Sequence, residues 1–144
     1  MVNQILHWED VGEGTEIPSV SLEITHNRII MGVCATRDNF PLHHDSEFAR
    51  ASGYKGPAVA GAFLQGFLGR CVTDWAGPTG KLRKLTLPFR TPNCQGDTIT
   101  ASGKVTRKYV ENGYHRVDCE LTVTNQDGIV TVNAQATVGL PTRA

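Results

Sequence analysis

No segment of this 144-residue chain is apolar for long enough to cross a bilayer, and its start, "MVNQILHWEDVGEG", has no charged lead into an apolar run. The sequence therefore predicts a soluble, cytoplasmic protein with no membrane to meet. Neither sign of charge prevails, since Lys and Arg together number 14 and Asp and Glu also 14. Without a net field there is little to attract nucleic acid, which excludes nucleic-acid binding as the main role. Cysteine is sparse and scattered: Cys34, Cys71, Cys94 and Cys119 form no C-x-x-C pair. A domain of this size has core enough to fold without disulfides, so the four read as reduced, mostly packing residues. Repeats, low-complexity tracts and linkers are also missing, and the length suits one domain over residues 1–144.

What is present divides into two hydrophobic periods, with the break near Gly80. In "GAFLQGFLGRCVTDW", Phe63, Phe67, Cys71 and Trp75 recur every four residues, and so do Leu64, Leu68 and Val72, giving one broad helical stripe. Phe67 and Trp75 read as core residues first and pocket walls second. Gly77 and Pro78 end the helix. Gly61, Gly66 and Gly69 each weaken it by about 1 kcal/mol relative to alanine, which predicts a sheet packed close against its backbone.

After Gly80 the period becomes two. Val117, Cys119, Leu121 and Val123 alternate with polar residues in "YHRVDCELTVT", and Val130, Val132, Ala134, Ala136 and Val138 do so in "IVTVNAQATV". "NQDG" and "ENG" supply turns, and "DTITASGKVTRKYV" the preceding strand. Earlier strands are expected in "KLRKLTLPFR" and "HNRIIMGVCAT". Strand, helices and then an antiparallel meander make an α+β layout, a curved sheet wrapped around one buried helix.

The segment "DNFPLHHDSEF", residues 38–48, gathers two of the five histidines with three carboxylates. Asp38 and His43 would lie on different faces of a regular helix and need a turn to meet. Pro41 supplies one, because it donates no backbone hydrogen bond and drives Phe40 into an extended conformation. Asp45 then caps a helix over "SEFARA". A carboxylate and an imidazole meeting at such a turn can hold a water and move its protons near neutral pH. The competing reading is a solvated loop, in which Asp38 ends a strand, Asp45 caps a helix and both histidines lie on the surface.

"RDNFPLHHDSEFA", followed by "GAFLQGFLG" and "FRTPNCQGDTITASGKV", resembles the MaoC-like enoyl-CoA hydratases of the hotdog fold over roughly residues 25–140. "ATRDNFPLHHD" and "VTDWAGP" are further similar to the small subunits of the two-subunit, steroid side-chain branch of that family. The resemblance implies that Asp38 and His43 form the catalytic dyad and that the Gly61 N–H binds the thioester oxyanion. It also implies that the only cofactor chemistry is the CoA of the substrate, with no metal. Two positions depart from the family pattern. Phe40 stands where asparagine is usual, and Ala60 stands where many members have histidine, which leaves room for a bulky acyl group. His44 lacks the family spacing from Asp38.

The remaining candidates are plainer. His7, His26 and His115, in strand-like or terminal segments, read as surface or structural residues. Lys81, Arg83, Lys84 and Arg90 form a basic run that either meets the CoA phosphates, with Lys84 and Arg90 as the candidates, or faces solvent from a strand. The leading function is hydration of an enoyl-CoA, with a steroid-derived or similarly bulky acyl group as the expected substrate. One alternative is a hotdog acyl-CoA thioesterase, for which the long helix offers only Asp74 as its carboxylate. The other is a non-catalytic subunit completing a partner's acyl-CoA pocket. Open sheet edges predict a homodimer or a hetero-oligomer with a second MaoC-like subunit.

Overall fold

The computed structural model describes residues 5–143. Five antiparallel strands form one sheet in the order β1-β3-β4-β5-β2, with β1 at Glu16–Glu23, β2 at Lys81–Thr86, β3 at Thr98–Glu111, β4 at Tyr114–Thr124 and β5 at Val130–Gly139. Three helices lie between β1 and β2: α1 at His26–Thr36, α2 at Ser46–Ala51 and α3 at Gly61–Ala76. The long helix and curved sheet are the expected α+β hotdog arrangement. The meander follows the alternation: Val117, Cys119, Leu121 and Val123 of β4, and Val132, Ala134, Ala136 and Val138 of β5, turn into the core. Against them α3 buries Leu64, Phe67, Leu68, Cys71 and Val72, while Trp75 packs at the margin. Asn112 and Gly113, both at positive φ, close the β3–β4 hairpin as a two-residue turn.

The first strand is not where the sequence predicts it. "HNRIIMGVCAT" is α1: the Thr25 hydroxyl accepts from Arg28 N, and Ile29 and Val33, four apart, are its buried residues. One capped turn and one i, i+4 apolar pair decide the segment against the strand propensity of its isoleucines and valine. His26 is accordingly the first residue of a helix. The strand lies upstream in "EIPSVSLE", where Pro18 falls between Ile17 and Val20 at an irregularity in the pairing with β3. Because β1 is an edge strand, a proline without an N–H is tolerated there.

The glycines of α3 also differ from expectation. A Cβ at Gly66 or Gly69 would have nothing within 4 Å, so no sheet approaches the helix there. Ala62, Gly66 and Gly69 instead form a smooth outer face beside Leu82 and Leu85 of the edge strand β2. The close approach is at Gly61, and it comes from the Phe89 ring rather than from the sheet.

The loops are tied to the sheet through Asp97, which is buried and follows Gly96, whose φ is +89°. One carboxylate oxygen accepts from Lys55 Nζ and from Gln126 Nε2, and the other from Cys94 N. Burial pushes the carboxyl up, but Lys55, the Cys94 amide and Gln126 together outweigh it and hold Asp97 below its ordinary value. Lys55 is held above its ordinary value, first by that same hydrogen bond. The Asp97 contribution to stability is thus complete above about pH 4 and is lost as pH falls through the lowered value. That of Lys55 is lost only as pH rises past the ordinary lysine range. Asp97→Asn should cost roughly 3 kcal/mol at neutral pH and flatten the acid limb of stability, read by denaturant unfolding at a series of pH values.

Candidate active site

Asp38 follows Arg37, whose left-handed conformation (φ 56°) ends α1. Its Oδ1 accepts from Phe40 N at 3.4 Å, Phe40 is extended (φ −63°, ψ 129°), and Pro41 opens a single 3-10 turn through His43. That turn brings His43 Nε2 to 3.4 Å from Asp38 Oδ2. Asp45 then caps α2 by accepting from Glu47 N and Phe48 N, as its position in the sequence predicts. His44 turns elsewhere, with its Nε2 at 3.1 Å from the Asn39 carbonyl. Of the two histidines, only His43 faces the aspartate.

The imidazole orientation is set from behind. His43 is buried, and its Nδ1 lies 2.7 Å from the Ala58 carbonyl. A carbonyl only accepts, so Nδ1 carries the hydrogen and Nε2 is the nitrogen free to exchange a proton. Nε2 faces Asp38, whose side chain is 45% exposed. The two therefore hold a proton between them or share a water, on the side open to solvent.

Helix α3 begins differently from its neighbours. Thr25 caps α1 and Asp45 caps α2, whereas the N-cap of α3 is Ala60, with no side chain to receive an amide. Its first turn holds no acidic residue. Unpaired N–H groups and the positive end of the helix dipole therefore meet a cavity of 320 Å³, in which Leu42, Tyr54, Leu64, Phe89, Arg90 and Asn93 surround Gly61. Such a terminus can receive an oxygen that gains negative charge. The Phe89 ring is 54% exposed and rests on Gly61, where an added Cβ would lie 2.8 Å from Cζ.

Asn93 is the anomaly. It is 1% exposed, and among the described residues its Nδ2 and Oδ1 are the buried side-chain polar atoms without a partner. A buried group left unpaired costs about 1–3 kcal/mol. Phe89 and Asn93 both fall in "FRTPNCQGDTITASGKV", a segment that carries the family resemblance, but the sequence assigns a role to neither.

The proposed phosphate contacts separate. Arg90 lines the Gly61 cavity, and the Asn133 carboxamide, oriented to present its oxygen, accepts from Arg90 Nε at 2.9 Å and Nη2 at 3.0 Å. Lys84 lies instead on β2, in the shallow groove beside the smooth face of α3. Asp74, the carboxylate a thioesterase would need, is exposed near the far end of α3 and paired with Arg70 at 3.2 Å. It is therefore far from the cavity at Gly61. Among the described residues no helix is long and apolar enough to cross a membrane. Cys71, Cys94 and Cys119 are buried thiols, and Cys34 is an exposed one.

A family described as "MaoC like domain" matches residues 12–127. The 3-oxo-4,17-pregnadiene-20-carboxyl-CoA hydratase beta subunit of Mycobacterium tuberculosis is 37% identical over 93 residues, which are 65% of this chain and 72% of that protein. The (R)-specific enoyl-CoA hydratase of Rhodospirillum rubrum is 29% identical over 141 residues, 96% of this chain and 95% of that one. Among solved structures, one chain of the ChsH1-ChsH2 complex from M. tuberculosis matches with a TM-score of 0.80 at 31% identity, covering 90% of this chain and 98% of that one.

The contact at the start of α3 can be measured through stability. Gly61→Ala should displace the half-exposed Phe89 ring at a net cost below about 1 kcal/mol, because the helix propensity of alanine offsets part of the overpacking. In a Phe89→Ala background the same change should be neutral or stabilising, as read from a double-mutant cycle in equilibrium unfolding.

Proposed function

The chain belongs to the MaoC-like domain family, and on that premise we propose that it is an enoyl-CoA hydratase, a hydro-lyase, with Asp38 and His43 as its catalytic residues and the Gly61 N–H as the oxyanion donor. The observation that carries this reading is the approach of His43 Nε2 to Asp38 Oδ2, 3.4 Å, with Nδ1 committed to Ala58. A water between the two loses one proton to Asp38 as its oxygen bonds to the β-carbon. The electron pair of the double bond moves toward the thioester, and the oxygen there becomes negative against the start of α3. His43 delivers its Nε2 proton to the α-carbon from the same side. Asp38 then returns the proton it took to His43, so the balance is one water added. The only cofactor is the CoA carried by the substrate, with Arg90 the better-placed candidate for its phosphates and Lys84 the more distant one.

For the acyl group we favour a bulky, steroid-derived chain over a simple fatty one. The name of the M. tuberculosis pregnadiene-carboxyl-CoA hydratase beta subunit supports it, and so does the rim of the site. Phe40 and Phe48, both exposed, meet edge to face at 5.6 Å, and Phe40 also lies 6.1 Å from the His43 ring. They offer an apolar corner beside the dyad, and Ala60 adds no bulk at the helix start. We place the enzyme in the cytoplasm, assembled as a homodimer or with a second MaoC-like subunit. The edge strand β2 and the smooth face of α3 beside it form a surface that a second chain can approach closely. The beta-subunit relative and the matching two-chain complex favour a different subunit over a second copy.

The test follows loss of enoyl-thioester absorbance with a short-chain and a fused-ring enoyl-CoA, using the chain alone and with a partner subunit. Asp38→Asn and His43→Ala should each lower kcat by roughly 10²–10⁴-fold. Release of free CoA without hydration would show a thioesterase instead. Phe40→Asn should lower kcat/KM about tenfold for the fused-ring substrate and change the short-chain value less than twofold.

A further inference from the structure

Asn93, which lines the cavity at the start of α3, carries a buried donor and acceptor, Nδ2 and Oδ1, that have no partner among the described residues. The main chain around them is firmly placed. The Asn93 carbonyl accepts from Val59 N at 3.0 Å, and Gln95 N donates to the Pro57 carbonyl at 2.8 Å. Between these bonds Cys94 pairs with Ala58 in an antiparallel bridge. Ala58 is the residue whose carbonyl fixes His43, and Gly61 follows it by three positions. The idle carboxamide thus stands on the strip that supports the histidine, and Asn93 lines the cavity into which α3 points its amides.

An apolar side chain would fill this position without stranding polar atoms, and an unpaired buried group at a site calls for an explanation in terms of what the site binds. The oxyanion assigned to Gly61 supplies one, because an oxygen gaining a full charge is better held by two donors than by one. We propose that Asn93 is the second oxyanion donor, its Nδ2 hydrogen-bonding the thioester oxygen beside the Gly61 amide. This rests on the reading of Gly61 in the hydratase reaction. The carboxamide is closed off from water, and the half-exposed Phe89 ring stands over Gly61 beside it.

The isosteric pair Asn93→Val and Asn93→Thr separates this role from a packing defect, in the assembly that turns over substrate. Asn93→Val should unfold at higher denaturant yet lose about a hundredfold in kcat, with KM within twofold. Asn93→Thr, which restores a hydroxyl donor, should recover part of that loss. Higher stability with unchanged kcat would overturn the proposal and mark the carboxamide as a misfit, or as the partner of a buried water. A binding experiment independent of turnover follows ¹⁵N-labelled protein during titration with a saturated acyl-CoA. The Asn93 side-chain NH2 and the Gly61 amide should shift together. A shift of Gly61 alone would overturn the role of Asn93 and leave that of Gly61 standing. If neither moves, the oxyanion reading itself fails, and Asn93 with it.

Discussion

The site depends on a strip of main chain in which residues 57–59 run antiparallel to residues 93–95, joined by the Ala58–Cys94 bridge and the flanking amide bonds. Neither segment belongs to the main sheet, yet each holds something the chemistry needs. Ala58 orients the imidazole from behind, Val59 and Ala60 lead into the bare start of α3, and Asn93 lines the cavity. The strip is held in turn by Asp97, which receives the Cys94 amide and reaches Lys55 on one side and Gln126 on the other. A carboxylate outside the proposed reaction thus keeps in register the parts assigned to it. Its three partners explain why an aspartate can be buried there at little cost.

The strand-turn-strand half was legible because one face is dry and the other wet, so a period of two survives in the sequence. The long helix was legible from its two interleaved stripes. Asp38, Pro41 and His43 could be read together because proline chemistry restricts the turn that joins them. The failures have equally physical causes. Short α1 buries only Ile29 and Val33, too few for periodicity to outweigh strand propensity. Pro18 masks β1, since an edge strand tolerates what an inner strand does not. Gly66 and Gly69 looked like marks of close packing and turned out to face outward, because a glycine does not reveal on which side of a helix its neighbour stands.

Asn93 and Phe89 were out of reach for a different reason. The cavity is assembled from the Pro41 turn, the start of α3 and the loop after β2, segments far apart in the chain. Their meeting is a property of the wrapped sheet and carries no local signature. The same wrapping decides which helix end stays bare. α1 and α2 begin behind their own threonine and aspartate, whereas α3 enters the core behind an alanine and leaves its dipole for whatever fills the cavity.

The bond between His43 Nδ1 and the Ala58 carbonyl joins residues 15 apart in sequence. A ring held in this way keeps one nitrogen toward one side. In the proposed reaction a planar double bond laid against it would meet oxygen and hydrogen on the same face, and the handedness of the new alcohol carbon would then trace to a main-chain carbonyl away from the substrate.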